Sequence, residues 1–142
     1  MPTVNPLDIF QPLAVLVFWT MLVLLQIPIR RFRAAFKGQV VPNDFRYGES
    51  ARVPPEVSLP NRNYMNLLEM PALFYLGCVV AYVTQHVDPV LMSLGWAYVA
   101  LRVAHSLVHL SYNHVVHRLV LFALSNFVAV GFWGRLAWGL WA

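Results

Sequence analysis

The chain has 142 residues, of which 59% are hydrophobic and 11% charged, less than half the roughly 25% charge of an ordinary soluble domain. Outside lipid such a chain would precipitate, which excludes a soluble globular fold. The formal net charge of +4 is no nucleic-acid footprint, because the cations are local: Arg30, Arg31, Arg33, Lys37, Arg46, Arg52 and Arg62 flank or occupy one loop.

A spanning helix needs about 20 mostly apolar residues. Four runs qualify, at roughly Pro12–Ile29, Leu67–Val83, Val90–Leu110 and Leu119–Trp141. They are continuous rather than alternating, so helices are expected and barrel strands are not, and a helix satisfies its own backbone in lipid. The reading is an all-α membrane protein, a single four-transmembrane-helix bundle over residues 1–142.

The first span has no cation before it, is long for a signal sequence and is followed by "RRFR" (Arg30 to Arg33), so it is expected to stay. By the positive-inside rule the loop after it is cytoplasmic, which puts both termini on the non-cytoplasmic side. That connection, Gly38 to Pro60, is rich in Pro and Gly and reads as an irregular loop. The second span holds the only cysteine, Cys78, so no intrachain disulfide can form. The link around Asp88–Pro89 then faces out, and the Tyr112–Arg118 link, with His114 and His117, faces in. The fourth span ends in "WGRLAWGLW" (Trp133 to Trp141), an aromatic anchor with Arg135 snorkelling to headgroups.

The second span raises a difficulty. "NRNYMNLLEMPALFYLG" (Asn61 to Gly77) carries Glu69 inside an apolar run. If its helix begins near Pro60, Asn66 and Glu69 lie roughly 9 and 13 Å along it. On the third span Arg102 and His105 lie roughly 16 and 12 Å from the same membrane face, and Ser125 and Asn126 of the fourth about 11–12 Å. Gln26 stands one turn inside Arg30. Ionisable groups at such depth face protein or water. Glu69 and Arg102, opposite in charge and matched in depth, are expected to pair. Arg62, Asn66 and Glu69 share one face at i, i+4 and i+7, as do Arg102, His105 and His109 at i, i+3 and i+7. Two polar faces at one level make either a clamp that fixes helix register or a pocket. The number of groups needing partners favours the pocket.

These motifs resemble those of the MAPEG family, membrane-associated proteins of eicosanoid and glutathione metabolism. "RNYMNLLEMP" fits an Arg-x3-Asn-x2-Glu pattern followed by Pro in the family's second helix. "RVAHSLVHL" (Arg102 to Leu110) with Arg118 after it resembles the third helix of its prostaglandin E synthase branch. "LEMPALFY" is similar to second helices of a bacterial branch. The resemblance implies a homotrimer in a bacterial inner (cytoplasmic) membrane, with glutathione held at subunit interfaces in the cytoplasmic half of the bilayer. By position, Arg62, Asn66, Glu69, Arg102, His105 and His109 match glutathione-binding positions, with His109 where catalytic members carry tyrosine. Arg118 matches the arginine that stabilises the glutathione thiolate, a role a neighbouring cation can fill. Arg30 or Arg31 would grip a glutathione carboxylate.

The implied activity is glutathione transfer to, or reduction of, a lipophilic electrophile entering from the bilayer. The alternative is a non-catalytic structural or accessory subunit, or a lipid-binding trimer. Four histidines, at 105, 109, 114 and 117, raise the thought of metal or haem, but no carboxylate or thiolate stands at ligand spacing beside them. No metal is expected.

Overall fold

The structure, a computed structural model, describes residues 4–141. Among these residues the chain is helical throughout, with no strand. A 3-10 turn, Pro6–Ile9, leads into α1 (Phe10–Phe36). A loop containing a second 3-10 turn, Pro42–Phe45, leads to α2 (Pro55–Leu68) and α3 (Met70–Val83). These are followed by α4 (Pro89–Leu110) and α5 (Val115–Trp141). Helices α2 and α3 form one span, interrupted at Glu69, so four membrane-crossing segments result.

Local chemistry sets the helix starts. Asn5 Oδ1 accepts from the Leu7 amide at 3.1 Å, and Asp88 Oδ1 from the Leu91 amide at 2.7 Å, each satisfying an otherwise free first-turn donor. Pro55 and Pro89 open their helices, where a missing N–H costs nothing. Helix α4 ends in a turn with Asn113 at φ 50°, a left-handed conformation that asparagine tolerates. The third span matches its expected bounds to within one residue. The second begins twelve residues before its expected start at Leu67, and α1 runs seven beyond Ile29.

The expected irregular loop is folded. Val40, Val53 and Val57 bury themselves against Ala34 with Phe45 beside them. Asp44 organises the turn: its carboxylate accepts from the Val41 amide and the Ser50 hydroxyl, both at 2.9 Å. These bonds hold the Asp44 carboxyl below its ordinary value.

The main core lies in the half of the bundle away from this loop. Phe74 stacks at 4.7 Å on Tyr98 and meets Phe132 edge-on at 5.3 Å. Leu16, Leu91 and Leu136 close around them, all buried. Gly77 is required here, since a Cβ would come within 2.8 Å of Phe132 Cε1 on a ring that has no room to move. In this same half Arg135 pairs with Asp88 rather than reaching to headgroups, while Trp138 and Trp141 stay exposed, as an interfacial aromatic belt requires.

Candidate functional site

The site begins with two prolines. Pro71 has no N–H, disfavours helical geometry at the preceding residue and clashes with the carbonyl four residues back. The backbone breaks at Glu69, whose ψ of −91° departs from the helix. The break frees the Asn66 carbonyl, which the amide of Met70 would otherwise take. Arg102, fully buried on α4, donates its Nη2 to that carbonyl. Pro60 does the same to the carbonyl of Glu56, and there Arg30 Nη1 donates at 2.9 Å. Arg30 Nη2 also reaches the last carbonyl of α4, Leu110, at 3.3 Å. Two arginines thus answer carbonyls that the interrupted helix leaves free, Arg102 the one at Asn66 and Arg30 the one at Glu56.

The expected Glu69–Arg102 ion pair is therefore not formed. Among the described residues the ion pairs are Arg31–Glu49 and Arg135–Asp88. The freed carbonyl outcompetes the carboxylate for the guanidinium, and Glu69, at the break, is turned outward and exposed. Arg62 is exposed too. The residue of this stretch that faces α4 is Asn63, whose Nδ2 donates to Ser106 Oγ at 2.5 Å with both side chains fully buried.

Between α2, α4 and α5 lies a cleft of about 260 Å³ lined by Asn66, His105, Arg118 and Phe122, with Val115 and Leu119 at its edge. Arg118 is braced, Nη1 donating to Asn113 Oδ1 at 2.7 Å. Several buried polar atoms here lack a partner within the chain: Arg118 Nε, His105 Nδ1, and Arg102 Nε and Nη1. His109 Nδ1 is likewise unpartnered one turn below His105, the rings 5.9 Å apart. The guanidinium of Arg102 stands 5.7 Å from the Phe122 ring centre, close enough for a cation–π contact. The cleft's polar lining is an arginine, a histidine and an asparagine with no carboxylate, so it suits an anion bearing several oxygens.

The remaining expected residues lie elsewhere. Arg31 is held by Glu49 at 3.1 Å and by the face of Phe45 at 4.4 Å. Arg30 lines a separate basic cleft with Gln26, Arg33 and Lys37. His114 and His117 are exposed, and His117 Nδ1 meets Tyr112 Oη at 3.0 Å. No group of three His, Cys, Asp or Glu converges among the described residues. Sequence reasoning missed Phe122 and the Asn63–Ser106 bond. The second had a signal, since Asn63 and Ser106 sit one position from residues that were noticed.

The sequence model of the MAPEG family matches residues 9–138. That is nearly the whole chain, its four spans agree, and the chain belongs to the MAPEG family. No curated protein and no solved structure matches it.

Proposed function

We propose that this protein binds glutathione in the cleft between α2, α4 and α5, as a homotrimer, and presents the thiol to lipophilic electrophiles dissolved in the bilayer. The observation that carries the reading is the cleft's polar lining of Asn66, His105 and Arg118, in which Arg118 Nε and His105 Nδ1 have no partner inside the chain. Glutathione brings two carboxylates and peptide carbonyls that fit such a donor set. A cation beside its sulfur would favour the thiolate, and Arg118 is the braced cation at the cleft.

The faces left over support association with further copies of the chain, and the trimer is the number the family resemblance implies. Helices α2 and α3 have 14 residues each, so Glu69 between them lies roughly 21 Å from the Val83 end, still within the roughly 30 Å hydrocarbon core. An ionised side chain there costs at least about 2.5–3.5 kcal/mol against lipid. A neighbouring subunit covering Glu69 and Arg62 removes that cost. The 260 Å³ cleft is also a little smaller than the roughly 300 Å³ at which small-molecule sites begin, as expected of a pocket finished by a second chain. The basic loop end is assigned to the cytoplasm by the positive-inside rule, which fits a bacterial inner membrane and access to soluble glutathione.

Calorimetric titration of glutathione into detergent-purified protein tests the reading. Saturable heat is expected, weakened about tenfold or more by Arg118→Ala through a lost charge-assisted contact. Glu69→Gln should loosen the trimer in light scattering. No saturable heat up to millimolar glutathione would sink the proposal. His109, in place of the tyrosine of catalytic relatives, favours one rival: saturable heat without turnover of a lipophilic electrophile would make the protein an accessory, non-catalytic member.

A further inference from the structure

A second cleft, of about 390 Å³, opens between the end of α1 and the start of α2. Its α1 wall carries Gln26, Arg30, Arg33 and Lys37, and Gln39 and Glu56 stand across from them. The four α1 residues are spaced i, i+4, i+7 and i+11, a single stripe along the helix. Three cations thus face one carboxylate. Arg30 is fixed by its bonds to the Glu56 and Leu110 carbonyls. Arg33 and Lys37 are exposed and join no ion pair among the described residues.

The depth of this cleft limits what it can hold. Helix α1 has 27 residues, about 40 Å, whereas the hydrocarbon core is about 30 Å thick. The cations Arg30, Arg31, Arg33 and Lys37 at its end assign the excess to that side and set its last turns among headgroups. One flank of the same turns is apolar and open, with Ile29, Phe32 and Phe36 exposed by 41%, 64% and 89%. One side of the helix end meets acyl chains while the other offers guanidinium and ammonium groups to whatever anion lies at phosphate level.

We infer that the cleft between the end of α1 and the start of α2 binds a phosphate group at the membrane surface, that of an anionic phospholipid headgroup. Arg30 forms a preset floor, and Arg33 and Lys37 close on the phosphate oxygens from the rim. Apolar Ile29 and Phe32, nearer the bilayer centre than Arg33 and Lys37, lie where the lipid's acyl chains descend. The glutathione cleft is separate, bounded by α4 and α5, so the two readings stand or fall independently.

Native mass spectrometry of the full-length protein tests this, with equimolar phosphatidylglycerol and phosphatidylcholine supplied in mixed micelles. Phosphatidylglycerol is expected to be retained preferentially, and Arg33→Gln with Lys37→Gln should cut that preference about tenfold or more, since each cation near the surface contributes appreciably to anionic-lipid binding. Both residues are exposed, so the variant should fold. Arg46→Gln with Arg52→Gln removes two exposed loop cations outside the cleft and should change little. If instead no lipid preference appears, but inorganic phosphate binds and the Arg33 and Lys37 changes abolish it, the phosphate comes from solution. No phosphate binding of either kind overturns the proposal. So does an equal loss in the loop-cation control, which would mean a diffuse surface potential. A parallel fall in glutathione affinity in the Arg33 and Lys37 variant would overturn it as well, because the cleft would then belong to the peptide.

Discussion

The two ends of the bundle are built on different rules. In the half farther from the loop, Phe74, Tyr98 and Phe132 interlock with leucines from α1, α4 and α5, and Asp88 both caps α4 and neutralises Arg135. The half nearer the loop keeps Arg102, His105, His109 and Arg118 with unpartnered nitrogens and shows Glu69 and Arg62 to the outside. One half is closed by apolar packing, although the Tyr75 and Tyr98 hydroxyls within it have no partner in the chain. The other has polar groups that only a ligand or a neighbour could answer. A membrane protein separates stability from function in this way because lipid gives packed apolar helices no reason to part, whereas it penalises every unanswered polar atom.

Phe74→Ala should produce the largest effect and breaks the comparison most directly. The ring is buried to 1% exposure among Tyr98, Tyr75 and Phe132. In lipid the transfer part of the loss shrinks, but the cavity part remains, so a loss of about 2–4 kcal/mol is expected. Thermal unfolding in detergent would read it as a lower midpoint. Glutathione affinity should change little, as the ring lies outside the glutathione cleft. If binding fell as steeply as stability, the division between the halves would be wrong.

The Asn63–Ser106 bond sharpens the comparison at the other end. It joins α2 to α4 at 2.5 Å with both groups fully buried. Interhelical hydrogen bonds of this kind average about 0.6 kcal/mol and reach about 1.7 kcal/mol in membrane proteins. Asn63→Ala and Ser106→Ala should each destabilise modestly, and the double variant should lose less than their sum, the difference being the coupling. A coupling of zero by steric-trap unfolding would mean that Arg102 on the Asn66 carbonyl holds α2 to α4 without help.

The bundle itself was legible because apolar length is a property of sequence alone: the third span was placed within a residue of Pro89–Leu110. The early start of α2 was not. Glu56, Pro60 and Arg62 lower its hydropathy, and hydropathy registers solubility in lipid rather than helicity. Periodicity put Arg62, Asn66 and Glu69 on one face but does not say which way a face points: Arg62 and Glu69 are exposed, and Asn66 alone of the three lines the cleft. The Glu69–Arg102 pair failed for a third reason. Matching charges by depth leaves out backbone carbonyls, and Pro71 had released one at Asn66 that sat nearer the guanidinium. Asn66, His105 and Arg118 did come together as expected. Phe122 was unreadable, being one apolar residue among many on α5.

The smallest expected effect lies in the loop, where Asp44 gives the comparison its third term: a polar group satisfied wholly within the chain. Its carboxylate accepts from the Val41 amide and the Ser50 hydroxyl, and these bonds, the backbone one foremost, lower its pKa from the ordinary 3.8. A carboxyl whose folded value is depressed contributes stability that is fully present above its unfolded value and disappears as pH falls through the folded one. Measured against intrinsic exchange at each pH, the protection of the loop amides should therefore stay level from neutral pH down to about 5 and fall only as the pH drops below about 4. Asp44→Asn, which keeps one acceptor oxygen but removes the charge, should flatten that dependence and raise exchange at Val41 and Ser50 at every pH. Exchange through the α3–α5 core should not respond. If the wild-type loop showed no acid transition while the Asn variant exchanged as slowly, the small cluster of Val40, Val53 and Val57 on Ala34 would be holding the loop alone, and Asp44 would be a passenger in a fold fixed by packing.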